Sequence, residues 1–456
     1  MEIETLVSAQ HRFFAAGNTQ TLLFRKKALA ALRDAIRHHE NEICAALASD
    51  LHKSDFESYL SEIGLVLSEL TYMEHHLSRL MKPKHVKTPL AQFAARSFVL
   101  AQPLGVCLVM SPWNYPFMLS IDPIIGAIAA GNCVVLKPSA YAAATSAILK
   151  KIITEAFDSQ HVCVVEGGRA ENAALLEQKF EHIFFTGSVE VGKLVMEKAA
   201  RHLTPVTLEL GGKSPCIVDE TANIPLTARR LVFGKFLNAG QTCVAPDYLF
   251  IHENVHDALL AAIKTEITAQ YGENPLACLH LGKIINEKHF ARVCGLLENQ
   301  KIVCGGERND ATRQLAPTVL DAVSPDSPVM QEEVFGPILP VMTFRSLDAV
   351  IDFINGRDKP LALYLFTTDK HAQTRVLTQC SFGGGCVNDT VIHLATSEMG
   401  FGGVGESGMG SYHGKLSFST FTHYKSIVKK ANWMDLPVRY QPSSALKAKL
   451  LRFFMK

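Results

Sequence analysis

The sequence predicts an α/β protein built on parallel sheet, and three observations carry that prediction. Short, almost wholly apolar segments of strand length recur between residues 105 and 219. Helical patterns separate them, the alternation that βαβ units require. Polar residues and glycines gather where each apolar segment ends, which is where open α/β sheets bind ligands.

The elements follow in chain order. Leu29, Leu32, Ile36, Ile43 and Leu47 recur at helical spacing, with Arg33, Asp34, Arg37 and Glu40 elsewhere around the barrel, so the first eighty residues read as packed surface helices. "GVCLVMSPWNYP" is an apolar strand (105–110) ending in a Ser-Pro turn. "NCVVLKPSA" (132–140) is a second strand ending in Lys-Pro, and a helix is expected from about Ala140 to Phe157. "HVCVVEGG" (161–168) is a strand ending in two glycines. "HIFFTGSVEVGK" (182–193) is a strand, a glycine turn and a helix start, and "VTLELGGKSPCIVD" (206–219) holds two short strands about Gly211 and Gly212. The second half continues with "YLFIHE" (248–253), "VCGG" (303–306), "ILPVMTF" (338–344) and "LALYLFT" (361–367). Glycine is dense from Gly383 to Gly414, and a loop-rich region is expected there.

Composition narrows the function classes. A chain of 456 residues with 48% hydrophobic and 20% charged content exceeds one ordinary domain and can bury large cores. The formal net charge of +1, without a long run of one sign, gives no argument for a nucleic-acid partner. The 11 cysteines are odd in number and form no CxxC pair, and there is no HExxH, so neither a disulfide framework nor a metal site is expected. Free thiols in such number predict a reducing, cytoplasmic setting. "MEIETLVSAQHRFF" lacks the apolar core of a signal peptide, and no run reaches transmembrane length.

The motifs that carry chemistry begin at "NAGQTCVAP" (238–246), where Cys243 is fenced by Gly240 and Pro246. A structural cysteine usually sits in an apolar run, whereas a working thiolate sits where the backbone turns. Glu209 closes a strand just before a Gly-Gly that opens space beside its carboxylate; partial desolvation would raise its pKa toward that of a general base. Asn114 in "SPWNYP" is either turn chemistry or an amide that donates to a developing oxyanion. Glu333 and Phe335 in "EEVFGP" are either the start of a plain strand or a clamp for a ribose and a flat ring. "GSVEVGK" (187–193) spells the start of a P-loop, but Leu194 stands where a magnesium-binding hydroxyl is needed. The turn still opens a helix, and a dinucleotide phosphate is the better use of it. "GVGESG" (403–408) lacks the flanking strand and helix of a dinucleotide fingerprint. Together these point to a cysteine enzyme with a nucleotide cofactor.

"SPWNYP", "LKPS", "FTGSVEVG", "LELGGKSP", "GQTCVAP", "EEVFGP" and "GFGGVGESGMGSYHGK" stand in the order seen in aldehyde dehydrogenases, and the match runs from about residue 5 to about residue 430. The ending "MGSYHGK" resembles the class 3 branch, which acts on fatty and aromatic aldehydes. The resemblance implies a Rossmann-like cofactor domain (1–83 and 106–210), an α/β catalytic domain (211–403), a small β-rich oligomerisation region (84–105 and 404–430) and a tail (431–456). It implies NAD and/or NADP as cofactor and a homodimer. Cys243 would attack the aldehyde, Asn114 and the Cys243 N–H would hold the oxyanion, and Glu209 would activate the deacylating water. Trp113, Lys137, Gly187, Ser188, Gly192, Glu333 and Phe335 would bind the cofactor. Where many relatives read KPSE this chain reads KPSA, and Ala140 removes a carboxylate that would repel a 2′-phosphate. Tyr115, Met118, Ile392 and Phe401 are expected as apolar walls for medium or long aliphatic and aromatic aldehydes, with His393 and Glu398 the less apolar members nearby. In the tail, Lys449, Arg452 and Lys456 share one side of a helix, and Leu446, Leu450, Phe453 and Phe454 the other. Such a helix lies on an anionic membrane surface, packs on the dimer or frays.

Overall fold

The computed structural model describes residues 2–455, so Lys456 of the tail lies outside the described residues. The apolar segments from the first half meet in a six-stranded sheet, ordered Gly408–Met409, Val206–Glu209, His182–Thr186, Val106–Met110, Cys133–Lys137 and Val162–Val164. All neighbours are parallel except Gly408–Met409, which runs antiparallel to Val206–Glu209. The interiors of the central runs are apolar because both faces are covered. Cys107, Val109, Val134 and Leu136 face a layer formed by Leu22–His38, Gly64–Leu80, Met118–Ala130 and Ala143–Ala156. Val106, Leu108 and Met110 face the other way, toward Val7, Leu175, Leu176, Val195 and Ala199. Alternate residues of one strand thus serve two cores.

The second half forms a seven-stranded sheet, ordered Lys301–Cys304, Thr318–Asp321, Ile338–Phe344, Tyr248–His252, Pro215–Val218, Ala362–Phe366 and Gly384–Val387. Only the Lys301–Cys304 edge is antiparallel to its neighbour. Lys84–Val86, Ala95–Pro103 and Thr422–Lys430 make a separate three-stranded antiparallel sheet.

Three features depart from the sequence reading. The glycine-dense region is not simply loop. Gly384–Val387 is a strand, and a Cβ on Gly385 would collide with the Leu363 carbonyl of the neighbouring strand. Glycine is there for close backbone approach. Gly408–Met409, expected in the oligomerisation region, instead extends the six-stranded sheet beside Glu209. The expected helix at 140–157 begins later, at Ala143, because residues 138–142 still turn out of the preceding strand.

Candidate active site

Cys243 sits on a loop that the backbone makes unusual. After the helix Ile224–Phe236 the chain passes through three consecutive left-handed residues, Asn238 (φ 52°), Ala239 (φ 51°) and Gly240 (φ 72°). Each non-glycine residue in that region costs about 1–3 kcal/mol. Hydrogen bonds hold the loop there. The Asn238 N–H donates to Glu57 Oε1 (2.9 Å), and Gln241 Nε2 donates to the carbonyls of Asn238 (3.1 Å) and Lys283 (3.0 Å). A Cβ on Gly240 would meet the Gly336 carbonyl, so glycine is required by both angle and space.

Asn114 is brought to this loop. It is buried, its Nδ2 donates to the Gln241 carbonyl (3.0 Å), and its own carbonyl accepts from Asn238 Nδ2 (2.7 Å). The next residue repeats the link, with the Tyr115 hydroxyl 2.6 Å from Thr242 Oγ1. Burial pushes the Cys243 thiol up to about 12, and the negative charges of Glu333 and Glu209 add to the effect. The backbone N–H groups of Cys243 and Val244 oppose it.

Glu209 ends its strand as expected, but it is 2% exposed rather than solvated. Neither carboxylate oxygen has a hydrogen-bond partner among the described residues, and burial lifts its pKa well above the ordinary carboxylate range. Glu333 is half-buried; desolvation lifts its carboxyl to about 8 and the nearby Asp247 adds to the rise, against the Gly212 N–H, Lys213 and Lys235. A Cβ on Gly211 would strike Glu333 Oε2, and one on Gly212 would meet Pro360, so the space the Gly-Gly opens is beside Glu333 rather than beside Glu209. Phe335 adopts φ 44° and meets the edge of Trp113 with ring centroids 5.3 Å apart.

The remaining candidates lie at strand ends of the six-stranded sheet. Lys137 Nζ donates to the carbonyls of Pro138 (2.8 Å) and Gly167 (2.7 Å), and burial lowers its pKa. Gly187 follows its strand directly, and Ser188 caps the helix Val189–Ala200. Gly192 is buried against Leu210, so it serves helix–strand packing. Lys193 is exposed on that helix, followed by the exposed Leu194. These groups fit a dinucleotide. A capped helix N-terminus faces the sheet edge, glycines leave room for backbone approach, and a carboxylate stands free of any side-chain cation at hydrogen-bond distance, beside paired rings.

A cavity of about 140 Å³ reaches Cys243. Tyr115, Met118, Ile392 and Phe401 all line it, and Ile392 is half exposed at one edge. Sequence reasoning missed Leu60, Phe233, Leu394 and Tyr412 on the same wall; as apolar or aromatic residues of helices and loops they carry no signal that separates them from core. His393 does not line the cavity. It packs beside Phe401, and burial lowers its pKa to about 4, so it is neutral; Glu398 is exposed.

A thiol at the end of an apolar channel needs an electrophilic carbon, and a dinucleotide sheet beside it needs a hydride donor. An aldehyde answers both, which makes this an aldehyde-oxidising enzyme. The model of the aldehyde dehydrogenase family matches residues 1–427, and the chain belongs to that family. It is 46% identical over 446 residues to 4,4'-diaponeurosporen-aldehyde dehydrogenase of Staphylococcus aureus (strain NCTC 8325 / PS 47), covering 97% of each chain. It is 44% identical to aldehyde dehydrogenase family 3 member A2 of Pongo abelii, over 100% of this chain and 94% of the relative. A solved structure described as the substrate bound state of Staphylococcus aureus AldH superposes with a TM-score of 0.98 at 45% identity, covering 100% of both chains. The chain is a class 3-like member that oxidises aldehydes to carboxylic acids with NAD or NADP.

Proposed function

We propose that Cys243 is the nucleophile, Glu209 the base for deacylation, and Asn114 with the Cys243 N–H the oxyanion donors. The observation that carries this reading is Glu209: a fully buried carboxylate with neither oxygen satisfied, acting electrostatically on the same thiol. Such a group is costly to keep unless it receives a ligand, here a water.

The steps follow. Cys243 gives up its thiol proton to solvent and adds as thiolate to the aldehyde carbon, and the developing oxyanion takes hydrogen bonds from Asn114 Nδ2 and the Cys243 N–H. Asn114 Nδ2 gives up its bond to the Gln241 carbonyl for this task. Collapse of the oxyanion expels hydride from the same carbon and leaves a thioester on Cys243. The oxidised dinucleotide, when bound, supplies the hydride acceptor, held by Glu333, Phe335, Trp113, Lys137 and the Gly187–Ser188 turn. Glu209 then takes a proton from water as its oxygen attacks the thioester; the thiolate leaves and the carboxylic acid is released.

Glu209→Gln should spare the first burst of reduced cofactor and slow steady-state turnover about a hundredfold or more. Intact-mass spectra of that variant with aldehyde and oxidised dinucleotide should show an acyl adduct on Cys243. No adduct, or an adduct on another thiol, would discard the assignment.

The apolar wall supports long aldehydes, entering aldehyde end first. The cavity holds only the first carbons, and a longer chain would leave past Ile392. The relative named for a diaponeurosporen aldehyde is consistent with that length. The reading also includes a homodimer formed through the three-stranded sheet and a cytoplasmic site, supported by 11 free cysteines. The helix Ala445–Phe454 would touch an anionic membrane surface. It shows Leu446, Leu450, Phe453 and Phe454 to solvent, and among the described residues no helix is long and apolar enough to cross a membrane.

A further inference from the structure

The active-site loops rest on a charged cluster that none of the chemistry above uses. Lys53 and Glu62 are 1% and 0% exposed, and Lys53 Nζ lies 2.5 Å from Glu62 Oε1. A buried ion pair is a weak contributor to stability, because desolvation offsets the attraction. Its other contacts explain its presence better. Lys53 Nζ donates to the Asn114 carbonyl (3.2 Å) and sits 3.9 Å from the centroid of the Tyr115 ring. Glu62 Oε2 accepts the N–H groups of Phe117 (2.8 Å) and Met118 (3.1 Å), where the helix Met118–Ala130 begins. Between them the two side chains hold the backbone on both sides of the turn that carries Asn114.

The local backbone is shaped for this. Tyr59–Ile63 is a π-helical turn, closed at Gly64, where a Cβ would crowd the Tyr59 carbonyl. An i→i+5 turn brings residues five apart to similar directions, and such turns recur at functional sites. Glu57 and Glu62 are five apart and both point inward: Glu57 to the Asn238 N–H of the nucleophile loop, Glu62 to the Asn114 turn.

We propose that Lys53 and Glu62 are positioning residues for the oxyanion amide. Together they fix the Asn114 turn against the Cys243 loop, so that Asn114 Nδ2 is in place when the oxyanion forms. The proposal rests on Asn114 acting as an oxyanion donor.

The test is a double-mutant cycle on the full-length enzyme, read by single-turnover formation of reduced cofactor at saturating aldehyde. Lys53→Met and Glu62→Gln should each slow this burst about tenfold or more, because small misplacements of a reacting group are expensive in rate. The Kd for NAD and the alkylation rate of Cys243 by iodoacetamide should change less than about twofold, because Lys53 and Glu62 hydrogen-bond neither Cys243 nor the cofactor residues and meet the Cys243 loop only through the Asn114 turn. Asn114→Ala alone should slow the burst about 100–1000-fold. Adding Lys53→Met to Asn114→Ala should then cost little more. The pair Lys53→Met with Glu62→Leu keeps the core filled without leaving one charge unpaired, so it guards against a single variant that fails to fold. It should show the same slow burst with intact cofactor binding. An unchanged burst in these variants, a parallel loss of NAD affinity and thiol reactivity, or an equal fractional loss in the Asn114→Ala background overturns the proposal alone. A normal burst in Asn114→Ala overturns the oxyanion assignment and this proposal together.

Discussion

Cys243 presents a thiol that burial and two carboxylates push up to about 12, so at neutral pH the cofactor-free enzyme holds it protonated. Of the two carboxylates, Glu333 acts more strongly. Removing a negative charge favours the thiolate, so Glu333→Gln should lower the thiol pKa. At about pH 9, where Glu333, lifted to about 8, is largely charged and the thiol is still mostly protonated, the thiolate fraction then rises, and iodoacetamide should alkylate Cys243 roughly three- to tenfold faster in the variant, the equivalent of up to about one pKa unit. Slower alkylation would show that Glu333 acts on the thiol through something other than its charge. Ala140 has a similarly direct reading. It is exposed just beyond the strand that ends at Lys137. Ala140→Glu places a carboxylate where a 2′-phosphate would approach, and kcat/KM for NADP should fall roughly tenfold or more while that for NAD holds or rises. Equal changes for both cofactors would remove this residue from the question of preference.

The Cys243 loop was legible because its punctuation is chemical: a glycine and a proline fence a cysteine outside any regular element. The strands Val106–Met110, Cys133–Lys137 and His182–Thr186 were legible because burial on both faces leaves no polar residue inside them. Lys53, Glu57 and Glu62 were not, because charged residues in a helical region look solvated; Lys53 sits on the link before Asp55–Ser58, and only Glu62 lies in the π turn itself. Ala95–Pro103 and Thr422–Lys430 were expected only through the family likeness. Their side chains are mostly half-buried or exposed, so no apolar alternation marks them. The loop also yields a test. Gly240→Ala would need a left-handed alanine whose methyl meets the Gly336 carbonyl. The loop must shift, at about 1–3 kcal/mol in stability, and displacement of Cys243 should lower kcat/KM about a hundredfold. Near-normal kinetics in that variant would mean the loop is not the rigid support described.

On the scale of the whole molecule, the three-stranded sheet keeps a free edge. Its outer strand Thr422–Lys430 has one neighbour only, and Tyr424 (43% exposed) and Val428 (54% exposed) stand out from it. The strand Gly384–Val387 likewise ends its sheet with one free edge. Two exposed edges on one chain invite strand pairing between copies. The lysines along Thr422–Lys430 discourage indiscriminate pairing, so the edge is guarded rather than sticky. Sedimentation of the full chain should therefore give a dimer, and Tyr424→Glu with Val428→Glu should shift it toward monomer. Deleting residues 445–456 separates the two uses of the tail. If the helix lies on membrane, the deletion abolishes co-flotation with anionic vesicles and leaves the dimer intact. If it packs at the subunit contact, the deletion weakens the dimer and vesicle binding is unchanged.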